Sequence, residues 1–373
     1  MRFVLDARYA GRRVSGIGNY VRALATRLPR LAPHCEFRYW IPRDAEPLSD
    51  ARNVRHHRLR PIPNSLATLL ATPWLDALAA DDVLHAPANV LGLGVKNRAL
   101  VTVHDLMWLE HLAWCQPNPW LRPISKRYFT LGIEHALRAA RRILTVSKAS
   151  ADAIARRVPD RAARIVVTPN GCEPHFRPPE DRDRDRAAAA ALLRFQQPFF
   201  LIVGQNVPSK GHEIALEAFA LANVAEHRLV FVQRLSPGKG LHRRASELGV
   251  VERVHFIAEL GLDELLSLLH AATALVQPSL AEGFGLPALE AAAAGAAVLA
   301  SDIAPLVEIL GDAAEFHQAG SAASLARSLE KIAGDPGRLA ELRARGPERA
   351  RPFDWDETAR ITWQAYREVA DRG

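Results

Sequence analysis

The feature that most constrains the fold is a series of short apolar runs that alternate with helical patterns and occurs twice along the chain. Short apolar runs of this kind are typical of strands buried in a parallel sheet. The first series lies at residues 3–5, 83–84, 100–103 and 143–146, and the second at 199–204, 229–232, 254–256, 274–276 and 297–299. Alternation of strand and helix, twice over, predicts an α/β protein with two Rossmann-like, doubly wound domains.

The chain of 373 residues is too long for one ordinary hydrophobic core, which supports the division into two domains. We predict an N-terminal domain over residues 1–175, a linker over 176–196 and a C-terminal domain over 197–352. The linker is placed at a proline-led run of charges, residues 178–186. Ligands of such domains bind at the carboxyl ends of the strands, so we expect a deep cleft between two facing domains to hold the site.

One stretch, SLAEGFGLPALEAAAAG at residues 279–295, predicts an anion site. Gly283 and Gly285 let a ligand approach the main chain, and Pro287 suits the first position of a helix. Gly295 then ends that helix before the next strand. A strand, a glycine loop and a helix N-terminus together present amide groups and a positive dipole to a phosphate.

Two glutamates flank this glycine loop. Glu290, expected in the first helical turn, can accept hydrogen bonds from a ribose diol, and Glu282 can reach another part of the same ligand. The spacing therefore fits a nucleoside diphosphate that carries a further polar group. Two alternatives stay open from the residues alone. One is a GxGxxA dinucleotide fingerprint, which normally follows the first strand of a domain, and the other is a helix entry whose glutamates only favour the dipole.

Six further segments accompany this stretch in order along the chain: SGIGNY at 15–20, VHDL at 103–106, TVSK at 145–148, VTPNG at 167–171, VGQNVPSKG at 203–211 and FDW at 353–355. Together they resemble the retaining glycosyltransferases of family four, which have the GT-B fold, and the bacterial mannosyltransferase subgroup in particular. The resemblance covers nearly the whole chain. It implies an N-terminal acceptor domain, a C-terminal donor domain and a helix over 353–373 that crosses back to the N-terminal domain.

The resemblance also implies roles for individual residues. At the reacting centre, Glu282 and His104 are expected to face the transferred sugar, and Lys210 to contact the donor diphosphate. Glu290 is expected to hold the ribose. The other donor-binding positions are Gly16, Ile17, Gly18, Gln205, Arg234, Gly283, Phe284, Gly285 and Leu286. From the residues alone, His104 is as readily a structural hydrogen-bonding group.

Two positions depart from the family pattern. Gln205 and Ser209 stand where many members have arginine. The diphosphate is therefore expected to rely on Lys210, or to recruit Arg234 or Lys239 from the loop after the next strand. The departure concerns the phosphate contacts and leaves the implied reaction class unchanged.

The implied reaction moves a hexose onto a hydroxyl of a saccharide or a lipid-linked saccharide. Mannose from GDP-mannose is the first choice by resemblance to the subgroup, and a UDP-sugar is the alternative. Retention of configuration is implied by the family. We expect no metal and no other cofactor, because helix N-termini and Lys210 can stabilise the charge of the leaving group. The acidic residues at 181, 183 and 185 match a DxD metal motif by letter, but we interpret them as a solvated charge run.

The charge of the chain is unevenly distributed. Residues 1–170 contain 26 Lys and Arg against 13 Asp and Glu, whereas the remainder contains 22 against 28. Tryptophans and basic residues alternate over 108–129, which suits a membrane interface. We therefore hypothesise docking on an anionic membrane surface, with packing in a core or an acceptor pocket as the alternative for the tryptophans. No nucleic-acid-binding module is recognisable, so we expect no nucleic acid partner.

Cysteine usage and the N-terminus predict a cytoplasmic protein, peripheral on the inner face of the membrane if it docks there. The three cysteines form neither a disulfide framework nor a CxxC site, and residues 1–13 lack the apolar core of a signal peptide. An NAD-dependent sugar-modifying oxidoreductase is the alternative from another class. A periplasmic-type binding protein would need an export signal, and a sugar-nucleotide isomerase would turn over the donor without an acceptor.

Overall fold

The computed structural model describes residues 2–11, 15–76, 78–79, 81–95, 98–233, 239–258 and 260–371. The chain forms two compact units, of which unit 1 comprises residues 1–171 and 353–373 and unit 2 comprises residues 172–352. Each unit has a parallel β-sheet and helices, so the predicted α/β fold class with two Rossmann-like domains is confirmed. No helix in the described ranges is long and apolar enough to cross a lipid bilayer.

Unit 1 contains a seven-stranded parallel sheet. Its strands are β1 (Arg2–Asp6), β2 (Glu36–Pro42), β3 (Val54–Leu59), β4 (Val83–Ala86), β5 (Ala99–Thr102), β6 (Arg142–Thr145) and β7 (Ile165–Val167). Their order in the sheet is β3-β2-β1-β4-β5-β6-β7. The helices that alternate with them are α1 (Gly16–Leu31), α2 (Leu66–Leu75), α3 (Met107–Glu110), α4 (Leu112–Cys115), α5 (Arg122–Ala139) and α6 (Lys148–Arg157).

Unit 2 contains a six-stranded parallel sheet. Its strands are β8 (Phe199–Val203), β9 (Arg228–Val232), β10 (Val254–Ile257), β11 (Ala274–Gln277), β12 (Val298–Ser301) and β13 (Glu315–His317), in the order β10-β9-β8-β11-β12-β13. Its helices are α7 (Arg182–Leu193), α8 (His212–Leu221), α9 (Lys239–Glu247), α10 (Leu262–Ala271), α11 (Leu286–Ala293), α12 (Ala304–Leu310), α13 (Ala322–Gly334) and α14 (Pro336–Ala350).

Both sheets have helices packed against them, and their inner strands are accordingly apolar on both faces. Every residue of β4, β5, β11 and β12 is buried. The two series of apolar runs predicted from the sequence are β1, β4, β5 and β6 in unit 1 and β8 to β12 in unit 2. In both sheets the first strand lies at the centre, beside the second and the fourth, so polypeptide loops from the carboxyl ends of these strands come together.

Helix α7 corrects the predicted linker, residues 176–196, because Arg182–Leu193 are helical and belong to unit 2. Asp181 caps this helix: its Oδ1 accepts hydrogen bonds from the amides of Asp183 and Arg184, both at 3.0 Å. The acidic run is therefore a helix N-terminus. The charged residues suggested a linker, but Asp185, Ala189 and Leu193 of this segment form a buried stripe along the helix.

The C-terminal helix α15 (Trp355–Asp371) completes unit 1. The Tyr366 hydroxyl lies 2.9 Å from His85 Nδ1, and both side chains are completely buried. A Cβ on Gly171 would lie 2.1 Å from the amide nitrogen of Trp355, so the end of the first segment of unit 1 packs directly against the start of α15. This helix is therefore part of the hydrophobic core of unit 1.

Candidate active site

In unit 2, the loops that follow β8 and β11 are joined through their main chains. The Leu280 amide donates a hydrogen bond to the Ser209 carbonyl oxygen at 2.8 Å. Gly211 has a φ of +65°, and a Cβ there would lie 2.0 Å from the Pro278 carbonyl oxygen. Only glycine fits this position, because both the backbone conformation and the space exclude a side chain. The contact brings Lys210 beside the loop after β11.

An ion pair links these two loops. Lys210 Nζ lies 2.6 Å from Glu282 Oε1, and the carboxylate side chain is 7% exposed against 25% for the lysine. The same Oε1 accepts hydrogen bonds from Gln277 Nε2 and Ser279 Oγ, each at 2.8 Å. Three donors thus converge on one carboxylate oxygen and fix its position.

Gln277 and Ser279 are site residues that the sequence reasoning missed. Gln277 is the last residue of β11, and Ser279 follows two residues later. Both side chains are buried. A glutamine at the end of an otherwise apolar, fully buried strand was the available signal, because a buried amide requires hydrogen-bonding partners.

Helix α11 begins beyond the glycine loop, as predicted. Its N-cap, Gly285, has a φ of +106°, and a Cβ there would lie 2.4 Å from Leu306 Cδ2. No side chain among the described residues caps this helix. Gly283, Phe284, Gly285 and Leu286 are all buried. The predicted helix N-terminus therefore exists, next to the loop that holds Glu282.

Two details of the helix differ from the prediction. Helix α11 starts at Leu286, so Pro287 is its second residue and Glu290 its fifth, one position beyond the first turn. The proline still lies where its missing amide hydrogen costs no helical bond. Glu290 is half-buried. Burial, together with the negative charges of Glu290 and Glu173, raises the pKa of the Cys172 thiol, which locates the Glu290 carboxylate near that cysteine.

A neutral histidine lies behind Lys210. Gln233 Nε2 donates to His212 Nδ1 at 2.8 Å, so the ring proton is on Nε2. Burial, and then the positive charge of Lys210, lower the pKa of His212 to about 4. His212 is the first residue of α8 and Gln233 follows β9, so both also stand at the carboxyl edge of the sheet.

Gln205, another predicted donor residue of unit 2, is not part of this cluster. Gln205 is exposed in the loop after β8, and its carbonyl oxygen accepts from the Val207 amide at 3.0 Å. Arg234 lies outside the described residues. Lys239 is the first residue of α9. The structure thus brings together Lys210, Glu282 and the loop to α11, and the phosphate contacts of Gln205 and Arg234 stay predictions.

In unit 1, the predicted phosphate loop is the first turn of a helix. Gly16, Ile17 and Gly18 open α1, and Ser15 is its N-cap. Ser15 Oγ accepts a hydrogen bond from the Gly18 amide at 3.0 Å. The Gly18 amide therefore already has an acceptor within its own unit.

His104 lies just beyond the end of β5 and is 8% exposed. Its Nε2 is 2.8 Å from the Pro87 carbonyl oxygen, and because a carbonyl only accepts, Nε2 carries the proton. The ring stands edge-on to Tyr20, with the centroids 5.1 Å apart. Burial lowers the pKa of His104 to about 4, so it is neutral at pH 7 and only Nδ1 can accept a bond from a ligand.

Two family models match the chain in succession. The model described as "Glycosyltransferase Family 4" matches residues 14–176, and the model described as "Glycosyl transferases group 1" matches residues 183–351. Both describe glycosyltransferases, so the oxidoreductase alternative is not supported.

Two curated relatives illustrate the sequence similarity. The MMP alpha-(1->4)-mannosyltransferase of Mycolicibacterium hassiacum is 32% identical over 68% of this chain, and the chain spans only 61% of the length of that relative. The O-antigen chain mannosyltransferase B of Escherichia coli is 27% identical, and the match covers 95% of this chain and 96% of that protein.

Solved structures share the fold of the entire chain. Sucrose-phosphate synthase from Thermosynechococcus elongatus matches with a TM-score of 0.77 at 20% identity, covering all of both chains. Anabaena Alr3699/HepE in complex with UDP-glucose matches with a TM-score of 0.72 at 17% identity, covering 99% of each chain. At these identities the similarity establishes the fold.

Proposed function

Because this chain belongs to glycosyltransferase family 4, we propose that it is a retaining hexosyltransferase that uses a nucleoside diphosphate sugar. The sugar is mannose, which the names of the two mannosyltransferase relatives support, and the donor is GDP-mannose. The UDP-glucose bound to the structural neighbour keeps a UDP-sugar as the alternative donor. The acceptor is a hydroxyl of a saccharide or of a lipid-linked saccharide.

The observation that best supports this function is the fixed carboxylate of Glu282 beside the ammonium of Lys210, next to the N-terminus of α11. A reaction that separates a sugar cation from a diphosphate anion needs one negative and one positive group close together. Lys210 supplies the point charge for the diphosphate, and the helix N-terminus adds amide dipoles for the same anion. Glu282 faces the sugar, whose ring gains positive charge as the bond breaks.

The proposed step conserves every atom of donor and acceptor. The bond between C1 of the sugar and the β-phosphate oxygen breaks, and a bond from C1 to the acceptor oxygen forms on the same face. The acceptor proton passes to the departing phosphate, so no protein group is required as the base. Glu290 holds the ribose hydroxyls through its half-buried carboxylate. His104 presents Nδ1 to a sugar hydroxyl, since its Nε2 proton is donated to Pro87.

Nucleotide binding tests the donor site first. Thermal unfolding is measured with GDP and with UDP at about a hundred times the dissociation constant, where a ligand stabilises the folded state by about 2.7 kcal/mol. We expect one nucleotide to raise the Tm of the wild type and to have little effect on Glu290→Ala. Glu226→Ala removes an exposed glutamate that precedes β9, so it is the matched control and should respond like the wild type.

Turnover then tests the reaction. Release of the nucleotide from GDP-mannose or a UDP-sugar is followed with and without an oligosaccharide acceptor. We expect acceptor-dependent release with an α-configured product. Binding of neither nucleotide, or release that no acceptor accelerates, would contradict the proposed transferase.

We further propose that unit 1 docks on the anionic inner leaflet, where a lipid-linked acceptor would lie. The start of α5 and the residues before it expose apolar side chains: Trp120 is 86% exposed, Ile124 67% and Leu121 46%. Lys126 and Arg127, on the same helix, are exposed and form no ion pair with a described carboxylate. Exposed tryptophan beside unpaired basic residues suits an interface of anionic headgroups and acyl chains.

Vesicle binding tests this docking surface. Arg122 is unsuitable for substitution, because its Nε donates to the Gln116 carbonyl oxygen at 3.0 Å and holds the preceding loop. Trp120→Ala and Lys126→Glu/Arg127→Glu should each weaken cosedimentation with vesicles that contain phosphatidylglycerol, by about tenfold. The double variant Arg52→Glu/Arg156→Glu reverses two exposed charges elsewhere in unit 1 and should bind like the wild type. Equal binding by all four proteins would exclude the surface.

A further inference from the structure

A cavity of about 610 Å³ opens in unit 2 at the amino edge of the sheet. It lies between α7, the loop that leads into β8, and α14. Phe199, the first residue of β8, contributes to its wall, whereas Lys210 follows the other end of that strand. Five residues of strand span about 16 Å. The cavity is therefore separate from the Lys210–Glu282 site.

Two guanidinium groups line this cavity, and no carboxylate does among the lining residues. Arg343 donates one hydrogen bond, from Nη2 to the Ala272 carbonyl oxygen at 3.1 Å. Its Nε is buried without an acceptor, and no described carboxylate pairs with it. Burial, then the neighbouring charges of Arg182 and Arg186, lower the pKa of Arg343 to about 10, so the group is still charged at pH 7.

The acidic side chains nearby do not neutralise Arg343. Asp185 Oδ2 lies 2.6 Å from His270 Nδ1, in a buried contact. Asp183 lies 3.2 Å from the second lining arginine, Arg186, but its own side chain is 90% exposed and the pair is worth little in water. A concave, partly desolvated space therefore has an uncompensated positive charge at Arg343.

Most of the other residues that line the cavity are apolar. Ala189, Ala190 and Leu193 belong to α7, the helix of Arg186, and Phe195 to the following loop. Thr273 and the amides of Gln196 and Gln197 add neutral polar groups. A volume of this size with apolar walls and a few polar groups is typical of sites for small organic ligands.

We propose that this cavity binds a small organic anion, with its phosphate or carboxylate on Arg343 and Arg186 and its apolar part against α7. An anion there would supply the acceptors that the guanidinium of Arg343 lacks, and it would relieve the repulsion between the two lining arginines. The apolar wall adds affinity for a ring or a short hydrocarbon and excludes a fully hydrated inorganic ion.

The probe for the experiment is 8-anilinonaphthalene-1-sulfonate, an aromatic anion whose fluorescence rises in an apolar site. We expect saturable binding of one molecule per chain, about tenfold weaker in Arg343→Gln and about threefold weaker in Arg186→Gln. Arg184→Gln removes an exposed arginine of the same helix that does not line the cavity, and its affinity should equal that of the wild type. Ala190→Phe keeps both arginines but fills the space, and it should abolish binding.

Competition separates the chemical sources of the anion and the two sites. Displacement of the probe by phenyl phosphate or by benzoate supports the proposal and identifies the preferred group. Displacement of the probe by GDP or UDP overturns the proposal. A failure of both phenyl phosphate and benzoate to displace the probe also overturns it, as do equal probe affinities of the wild type and all the variants. Arg343→Gln also loses a hydrogen bond to the main chain, so its thermal unfolding is compared with that of the wild type. If this variant is unfolded, Arg186→Gln and Ala190→Phe decide the result.

Discussion

Units 1 and 2 share one strand order around their first strand but differ in the side chains at the carboxyl edge of the sheet. In unit 1 the polar groups there have partners within the unit: His104 donates to Pro87 and Ser15 accepts from Gly18. In unit 2 charged groups meet, with Lys210 and Glu282 2.6 Å apart. Unit 1 also has an ion pair at this edge, since Arg8 Nη2 lies 2.6 Å from Asp6 Oδ2 just after β1, but the arginine of that pair is only 1% exposed whereas Lys210 is 25% exposed. The same topology thus supports a buried ion pair in one unit and a more accessible one in the other.

The exposed apolar side chains are also unevenly distributed between the two units. Among the described large apolar side chains that are exposed, eight belong to unit 1 and three to unit 2. The three are Leu221, Leu262 and Val307. Unit 1 also has the excess of positive charge. The proposal that unit 1 docks on an external surface rests on this difference.

Replacing the central carboxylate of unit 2 should have the largest effect. Glu282→Gln keeps the shape but removes the charge that pairs with Lys210, and we expect kcat/KM to fall by about 100- to 1000-fold, the range for one preorganised electrostatic group. His104→Gln in unit 1 should lower it by about tenfold at most, because the Nε2 proton is already donated to Pro87. The two values come from initial rates of nucleotide release. Equal losses in both variants would contradict the larger contribution of the Glu282 charge.

Adding a side chain where two main-chain segments approach closely should give the next largest effect, and it should do so in both units. Gly211→Ala would place a Cβ 2.0 Å from Pro278 O in unit 2, and Gly171→Ala one 2.1 Å from Trp355 N in unit 1. Each should lower the free energy of unfolding by about 3 kcal/mol, measured by urea denaturation. Gly249→Ala is the control for backbone strain alone, since its φ is +70° and nothing lies within 4 Å of the added Cβ. A loss in the control as large as in Gly211→Ala would attribute the effect of that variant to φ, whereas Gly171 has no positive φ and its loss reports the contact alone.

The sequence predicted the inner strands of both sheets better than the outer ones. β1, β4 and β5 are apolar because helices cover both faces of the sheet, and that pattern is visible without a structure. β3 was missed, since it is an edge strand with the sequence VRHHRL, in which charged residues face solvent. β13, at the opposite edge of the unit 2 sheet, was also missed, whereas the edge strand β10, which corresponds to β3 in position, was predicted.

The candidate site was also predicted only in part, because the sequence does not show which side chains contact each other. Lys210 was predicted from a resemblance, and Glu282 and the glycine loop between strand and helix already from the residues themselves. The glutamine at the end of β11 indicated a buried polar contact, but the sequence does not show that Gln277 and Ser279 bind Glu282, because this depends on the direction in which the Glu282 carboxylate turns. The same holds for His212, whose neutral state results from its burial and from the neighbouring ammonium.

Acid should destabilise unit 1 through its buried histidines. Burial, with a contribution from His104, lowers the pKa of His85 to about 3 from an ordinary value of 6.5, so below pH 6.5 the unfolded chain binds the proton that the folded unit excludes. Stability is therefore complete above pH 6.5 and falls by about 2 kcal/mol at pH 5 for this one group.

Urea denaturation of His85→Gln at pH 7.5 and pH 5 measures this contribution. The loss of unfolding free energy on acidification should be about 2 kcal/mol smaller than in the wild type, even though the variant is less stable at both values. His34→Gln replaces an exposed histidine of the same unit and should keep the full pH dependence. An unchanged pH dependence in His85→Gln would mean that His85 is not held neutral.

Replacing the helix caps should have the smallest effect, a loss of about 1 kcal/mol in the free energy of unfolding for each cap. Ser15→Ala removes the acceptor of the Gly18 amide in unit 1, and Asp181→Ala the acceptor of two amides in unit 2. If the Gly18 amide contacts the donor phosphate, as the resemblance implies, nucleotide binding must displace Ser15 in the wild type. We therefore expect Ser15→Ala to tighten GDP or UDP binding about threefold to fivefold in calorimetry, and Asp181→Ala to leave it unchanged. An unchanged affinity in Ser15→Ala would remove Gly18 from the donor site and leave the binding of the phosphate to unit 2.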